Sequence, residues 1–390
     1  MPETTDVGTR LRDLRKRRGM SQRELAGASG VSLSTISKLE QGATSGDLRL
    51  ETVRSLAMAL RVTTTHLLRR DPATPVPAPD AWLPLQQALE SPPAQQPDEE
   101  ARVPPIADGL RAVRKAYFDN RLTDLVTLAV PLLRDADALG HDIEARALRA
   151  HLLQIAGSVL TQVHAYESAE AALSRALDSS PDRLRAASIV TTWVWLLTRQ
   201  GRFDDAREMA ARWADDLEPR VSRATAEDLA AWGWVLLQLS AACLRDSRAG
   251  EAADALRLAQ AAAVLTGREL PRGQERLATW GPLTVAYKRA ERDIILDRPD
   301  AVLRAAERLS ATGPADSTEH HRHRLDVARA HVRMRQRSEA VGVLREVHAV
   351  APEWLAQQRY AQDILGEVVE RRRTLTPEMR ELADTLGTAM

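Results

Sequence analysis

From Ile106 onward the chain is alanine-rich, helix-periodic and nearly free of strand signals, and it repeats. Ala169-x3-Leu173-x2-Ala176-x4-Pro181 sets a small, large, small, proline spacing that returns at Ala340-x3-Leu344-x2-Val347-x4-Pro352. GRFDDA at Gly201–Ala206 reads as a turn between two helices, and weaker echoes centre on Ala129, Ala252 and Ala301. A helix of this kind cannot bury its small-residue face alone, so recurrence along the chain means a stack of antiparallel helix pairs, each covered by its neighbours. About five or six pairs are expected, closed by helices near 354–373 and 377–387. The predicted fold class is therefore all-α.

A second feature lies outside the repeat. Ser21–Gly42, SQRELAGASGVSLSTISKLEQG, reads as two short helices joined by a tight turn at Gly30. Leu25, Ala26 and Val31 turn inward, Ser32 is placed to cap the second helix, and Ile36 and Leu39 form its inward pair. Leu33, Ser34, Ser37 and Lys38 share the opposite face. Small polar side chains and one cation on a short helix suit the major groove of double-stranded DNA.

This segment resembles the helix-turn-helix of the phage-repressor, or xenobiotic-response-element, family over about Val7–Asp71. The resemblance rests on GTRLRDLRKRRGM as a first helix, the SQxxLA start of the second, S-x-x-x-I-S-K-L-E-x-G as the reading helix, and LETVRSLAMALRV as a fourth. It implies a five-helix domain with Gln22 on a phosphate, Leu33, Ser34 and Lys38 against base edges, and Arg15 paired with Glu40 as a structural ion pair. The segment ATSGDLRL after Gly42 is about two residues longer than the family usually has and lacks its customary proline.

Charge points the same way. The whole chain balances 54 basic against 54 acidic residues, but residues 1–70 hold 13 Lys and Arg against 7 Asp and Glu, a net of +6. Arg10, Arg12, Arg15, Lys16, Arg17 and Arg18 cluster on and after the first helix, and Arg17 and Arg18 are the expected sequence-independent phosphate contacts. A length of 390 residues calls for more than one domain. The reading is a DNA-binding domain at 1–70, a Pro-rich linker at 71–105 holding 10 of the 20 prolines, and a helical-repeat domain at 106–390. Within the linker, DAWLPLQQALE offers Trp82, Leu83, Leu85 and Leu89 as one short docking helix.

Several function classes are disfavoured. Cys243 is the single cysteine, which excludes an internal disulfide framework and a cysteine-rich zinc site and fits a reducing cytoplasm. No signal peptide is read at the start, and the longest uncharged stretch, Ala150–Tyr166, carries His and Gln and suits a buried helix better than a membrane span. No P-loop, G-x-S-x-G or H-E-x-x-H occurs, so neither an enzyme nor a bound cofactor is expected. His320, His321 and His323 are read as an exposed helix start rather than metal ligands, and Gly281-Pro282 as a helix boundary or kink.

The repeat spacing resembles a degenerate tetratricopeptide array, with Gly157 where the first helix of a pair usually carries its glycine. Joined to the N-terminal domain, it is similar in architecture to the RRNPP group of regulators. That resemblance implies a right-handed superhelix whose first helices line a concave surface, a homodimer, and a signalling peptide or small molecule as effector. Counting along the helices puts His151, Gln154, Ser158 and Thr161, and then Ser188, Thr191, Trp195 and Thr198, on that surface. Trp193 and Trp195 are about 200° apart around a helix, as are Trp232 and Trp234, so one ring of each pair should face the groove. Two readings stand. All four indoles pack between helices, or Gln154, Ser158, Thr191, Trp195, Arg199, Trp234 and Gln238 form a ligand pocket in which Arg199 meets an anionic group. The repeat domain would alternatively bind a protein partner, as an antitoxin or adaptor does.

Overall fold

The computed structural model describes residues 7–17, 20–41, 50–60, 67, 80–90, 103–273, 276–309, 317–370 and 376–386. The chain divides into two compact units, Met1–Ala78 and Pro79–Met390. Among the described residues both are built from helices without a named strand.

The first unit contains α1 (Val7–Arg17), α2 (Gln22–Ser29), α3 (Leu33–Glu40) and α4 (Leu50–Ala59). Leu11, Leu25, Ile36, Leu39, Leu56, Leu60 and Leu67 share one buried core. The expected fifth helix lies outside the described residues apart from Leu67.

The second unit begins with α5 (Leu83–Glu90), inside the segment read as linker. Trp82, Leu85, Ala88 and Leu89 are buried there. Six helix pairs follow: α6 (Val103–Phe118) with α7 (Leu122–Ala138), α8 (Ile143–Gln162) with α9 (Tyr166–Asp178), α10 (Arg183–Gln200) with α11 (Phe203–Leu217), α12 (Ala226–Arg245) with α13 (Ala249–Thr266), α14 (Pro282–Ile295) with α15 (Pro299–Leu309), and α16 (Thr318–Arg333) with α17 (Arg337–Val350). The helix expected over 354–373 is broken into α18 (Pro352–Ala356) and α19 (Arg359–Val369), and α20 (Pro377–Leu386) completes the described chain. The α5 helix docks on α7 and α9, where Arg175 Nη1 donates to Leu89 O at 3.1 Å and its Nη2 pairs with Asp137 at 2.7 Å.

Each pair closes through the same turn. A single residue adopts a left-handed backbone, at Asn120, His164, Gly201, Ser247, Asp297 and Arg335 in succession. The N–H of the residue after it returns to a carbonyl in the helix just completed, as in Arg121 to Ala116 (2.9 Å), Arg248 to Cys243 (2.8 Å) and Gln336 to His331 (2.8 Å). First helices touch first helices along the stack, and each second helix covers the first helix of the next pair. Alanines make the close approaches: Ala169, Ala172 and Ala176 in α9, Ala206, Ala210 and Ala214 in α11, and Ala252, Ala255, Ala259 and Ala262 in α13 are all buried. Gly157 in α8 does the same for its partner helix, since a Cβ there would stand 2.7 Å from Leu173 Cγ.

A loop between α13 and α14 interrupts the stack. It folds into a bridge in which Leu270 and Trp280 exchange backbone hydrogen bonds at 2.6 and 3.1 Å. Trp280 is wholly buried against Gly233 of α12, where a Cβ would fall 1.9 Å from the indole ring. Gly281 and Pro282 mark a helix boundary, with proline in the first turn of α14.

The histidine run departs from expectation. His321 and His323 are buried, because α16 packs on both flanks. His323 stacks on Tyr287 at 4.7 Å and His321 lies 5.5 Å from Trp354. Burial, with the neighbouring charges of His320 and Arg324, pushes His323 down to about 4.

Candidate ligand cavity and DNA-reading helix

The stack encloses a partly covered cavity with an accessible volume of about 110 Å³. That is several times the ~10–15 Å³ that one buried water requires. Its wall comes from the first helices of all six pairs plus the loop residues Arg276–Ala278. No second helix contributes among the described residues, because the second helices form the outer layer.

Six of the seven expected ligand residues meet here: Gln154, Ser158, Thr191, Trp195, Trp234 and Gln238. The Gln154 amide is oriented by its neighbours. Its Nε2 donates to Ser188 O at 2.8 Å, Ser188 Oγ at 2.9 Å and Thr192 Oγ1 at 3.2 Å, while Oε1 is buried without a partner. Gln162 Oε1 is in the same condition. Ser158 Oγ lies 2.7 Å from the Tyr117 hydroxyl. Burial pushes that phenol up against the hydrogen bond from Ser158, with Glu319 adding to the shift and Arg322 opposing it. The Trp234 indole N–H is held by Thr279 O at 2.8 Å, so this ring presents its apolar face. Trp193 and Trp232 pack in the surrounding core, with the Trp232 N–H on Ala214 O at 3.1 Å.

Arg199 is not brought into the cavity. It sits one turn beyond Trp195 on α10, 3.3 Å from His164 Nε2. Burial and the nearby Arg322, Arg245 and Arg359 push it down to about 10. Among the described residues three cations line the cavity: Arg276 pairs with Glu227, Lys288 pairs with Glu291, and the third is Arg322 of α16, whose guanidinium lies 4.6 Å above the Trp195 ring. Burial lowers its pKa, and among the described residues it forms no ion pair. His151 and Thr161 are not in the lining either: His151 bonds Arg114 and Arg185, and Thr161 Oγ1 returns to Gly157 O at 2.7 Å. Tyr117, Gln162, Glu319, Arg322 and Arg276 are lining residues the sequence did not single out.

The loop over the cavity is fixed from three sides. Arg276 pairs with Glu227 of α12 and donates to Pro271 O and Ala278 O, 2.8 and 2.9 Å away. Arg114 of α6 donates to Gly273 O at 2.8 Å, and Arg272 lies over Phe118 at 4.5 Å. Glu269 accepts from Leu283 N and Thr284 Oγ1 of α14, 3.0 and 2.6 Å away. Below the cavity, Lys288 and Arg245 hold Glu291 ionised despite its burial, while burial beside that carboxylate raises Asp326.

In the first unit, Ser21 and Glu24 form a reciprocal cap at the start of α2. Gly30 closes α2 with a left-handed backbone, and Ser32 Oγ caps α3 through Thr35 N at 3.1 Å. Capping at both ends of so short a turn fixes the angle between the helices. On α3, Ile36, Leu39 and Glu40 face inward while Leu33, Ser34 and Lys38 are exposed. Ser34 Oγ bonds Ser32 Oγ at 3.0 Å, and half-buried Ser37 accepts from Gln41 Nε2 at 3.2 Å. Arg15 clamps Glu40 with Nε to Oε1 at 2.7 Å and Nη2 to Oε2 at 2.9 Å, and its Nη1 reaches Met20 O at 2.7 Å.

Residues 11–67 match the helix-turn-helix family model. The N-terminal unit is a DNA-binding helix-turn-helix domain. A crystal structure of Bacillus thuringiensis PlcR in complex with the peptide PapR7 and DNA aligns with 13% identity and a TM-score of 0.35, covering 87% of this chain and 98% of that one. No curated protein shows significant sequence similarity.

Within the helix-turn-helix, Gln22 Nε2 donates to Glu40 Oε2 at 2.8 Å, so its amide is engaged inside the domain. A phosphate contact from Gln22 would have to use its backbone N–H, one of the donors left over in a first helical turn. The Arg17 side chain and the whole of Arg18 lie outside the described residues. No described helix in either unit is long and apolar enough to cross a membrane, and the described residues contain no metal-holding group of His, Cys, Asp and Glu.

Proposed function

We propose that this chain is a sequence-specific transcriptional regulator, homodimeric and cytoplasmic, whose helix-pair stack holds an effector. Leu33, Ser34, Ser37 and Lys38 are assigned to base edges, and Gln22, Arg17 and Arg18 to phosphates. Reading is a binding function, and no catalytic role is assigned to any residue. The observation that carries the effector reading is the convergence of Tyr117, Gln154, Trp195, Trp234 and Arg322, from five different helices, on one partly enclosed space. An open groove would suit a segment of a protein partner, whereas an enclosed space with converging polar groups suits a small ligand or short peptide.

Sequencing of DNA bound in cells, followed by affinity measurements on the recovered operator, tests this. The expected operator is an inverted repeat with half-sites about one helical turn apart. Small-molecule extracts of the source cells should shift the affinity of the wild type but not of Trp195→Ala, whose ligand-free affinity stays near wild type. A Trp195→Ala protein that keeps its full response sinks the cavity reading. Light scattering that returns a 43.0 kDa monomer with and without DNA sinks the dimer.

A further inference from the structure

Two side chains on the cavity wall have opposite charges and, among the described residues, no ion-pair partner. Glu319 and Arg322 are three positions apart on α16, hence on the same face of that helix. Among the described residues neither makes an ion pair, with the other or with a third group; the ion pairs of α16 belong to Arg324, Arg329 and Arg333. The Arg322 guanidinium lies 4.6 Å from the centre of the Trp195 ring, and its planar fork of N–H donors is of the kind that takes a carboxylate edge-on. Across the cavity, Gln154 and Gln162 present buried carbonyl oxygens that lack donors. A buried acceptor without a donor is costly, and beside these two oxygens stand the half-buried, unpaired Glu319 and Arg322, so a ligand that supplies both signs would satisfy the whole set.

Resting on the reading of this cavity as an effector site, we propose that it recognises an α-amino-carboxylate. The carboxylate sits on Arg322, and the ammonium is shared between Glu319 and the amide oxygens of Gln154 and Gln162. The side chain lies against the indole faces of Trp195 and Trp234. A plain organic anion would leave Glu319 unpaired, and a linear peptide separates its ammonium from its carboxylate by the length of the chain. A single α-carbon carries both.

The test is titration of the full-length protein with free L-amino acids, and with the N-acetyl and carboxamide derivative of each, followed by tryptophan emission and thermal midpoint. At least one free amino acid should bind, and both of its derivatives should bind about tenfold or more weakly. Arg322→Gln should lose affinity for the parent and become indifferent to amidation, whereas Glu319→Gln should become indifferent to acetylation. Glu319 has no protein partner to forfeit, so Glu319→Gln should melt no lower than wild type when empty, whereas Arg322→Gln gives up its contact with Trp195 and should melt slightly lower while still folding. Amino acids with extended side chains separate a free amino acid from a larger metabolite bearing the same headgroup, by which of the two binds more tightly. Derivatives that bind as well as their parents overturn the assignment but leave the effector cavity standing. A protein that takes none of these compounds at about 10 mM overturns the assignment, and one that also ignores every small-molecule extract overturns the effector reading as well.

Discussion

The clamp between Arg15 and Glu40 ties α1 to the end of the reading helix, and Gln22 joins it from α2. Both charged groups are buried. Removing one partner of such a pair strands the other and costs about 3–5 kcal/mol, whereas replacing both with apolar residues of similar volume is often close to neutral. Glu40→Gln should therefore bring a small domain, whose total stability is only about 5–15 kcal/mol, near its limit. Arg15→Met with Glu40→Leu should recover most of that loss. Hydrogen exchange across residues 7–40 of the full-length protein reads the effect locally, and operator affinity reads its consequence for α3. The clamp also has an acid limb. Burial works against ionisation of Glu40, but the hydrogen bonds from Arg15 and Gln22 outweigh it and hold the carboxylate below its ordinary value of 4.5. A carboxylate lowered on folding contributes stability above its unfolded pKa and loses it as pH falls through the folded one. Protection of α1 and α3 should thus decline only below about pH 4.5. Single losses that simply add in the double variant would show that the two residues do not act as a pair.

Three further outcomes are expected. Lys38→Ala should weaken specific operator binding by about 1–3 kcal/mol; an equal loss on random duplex DNA would remove Lys38 from base reading. Gly233→Ala should lower the melting temperature of the second unit through overpacking worth about 1–3 kcal/mol, because the added methyl meets the Trp280 ring rather than a flexible chain end; calorimetry showing no change refutes this. Exposed Arg335 occupies a left-handed turn that costs a non-glycine residue about 1–2 kcal/mol, part of which glycine returns as unfolded-chain entropy. Arg335→Gly should hence match or exceed wild-type stability, and a clear destabilisation counts against the shared turn.

The two-helix reader was legible because each of its devices is a residue type: Ser21, Gly30 and Ser32 at helix ends, Ile36 and Leu39 inward. The pair stack was legible wherever the small, large, small, proline spacing of a second helix survived, as at Ala169–Pro181 and Ala340–Pro352, or where glycine marked the turn. Gly201 is such a case and gave the clean register that placed Thr191 and Trp195. At His164, Ser247, Asp297 and Arg335 no glycine marks the same turn, which is held by its backbone hydrogen bond and neighbouring helices, so those pairs show in the sequence only through the helix that follows. Arg199 is the cation the sequence offers, because it follows Trp195 on one helix. Arg322, the cation that does lie over Trp195, is inside the histidine run and reaches that ring because the stack brings α16 near α10. Proximity between the third and sixth pairs is a property of superhelical curvature, which no local spacing encodes.

The carboxylate of Glu353, at the start of α18, accepts from the backbone N–H and hydroxyl of Thr123 at 3.0 and 3.2 Å. It thereby supplies the first turn of α7 with the cap its own sequence lacks. A repeat array whose ends are free behaves as a chain of springs in series, each passing strain only to the next. Here the first pair and the segment after the sixth are fastened to each other, so the array is a split lock washer with its gap latched. Widening the cavity at any one pair must then be shared with the others or released at the contacts that bridge them, and the exposed latch between Glu353 and Thr123 is the outermost of these.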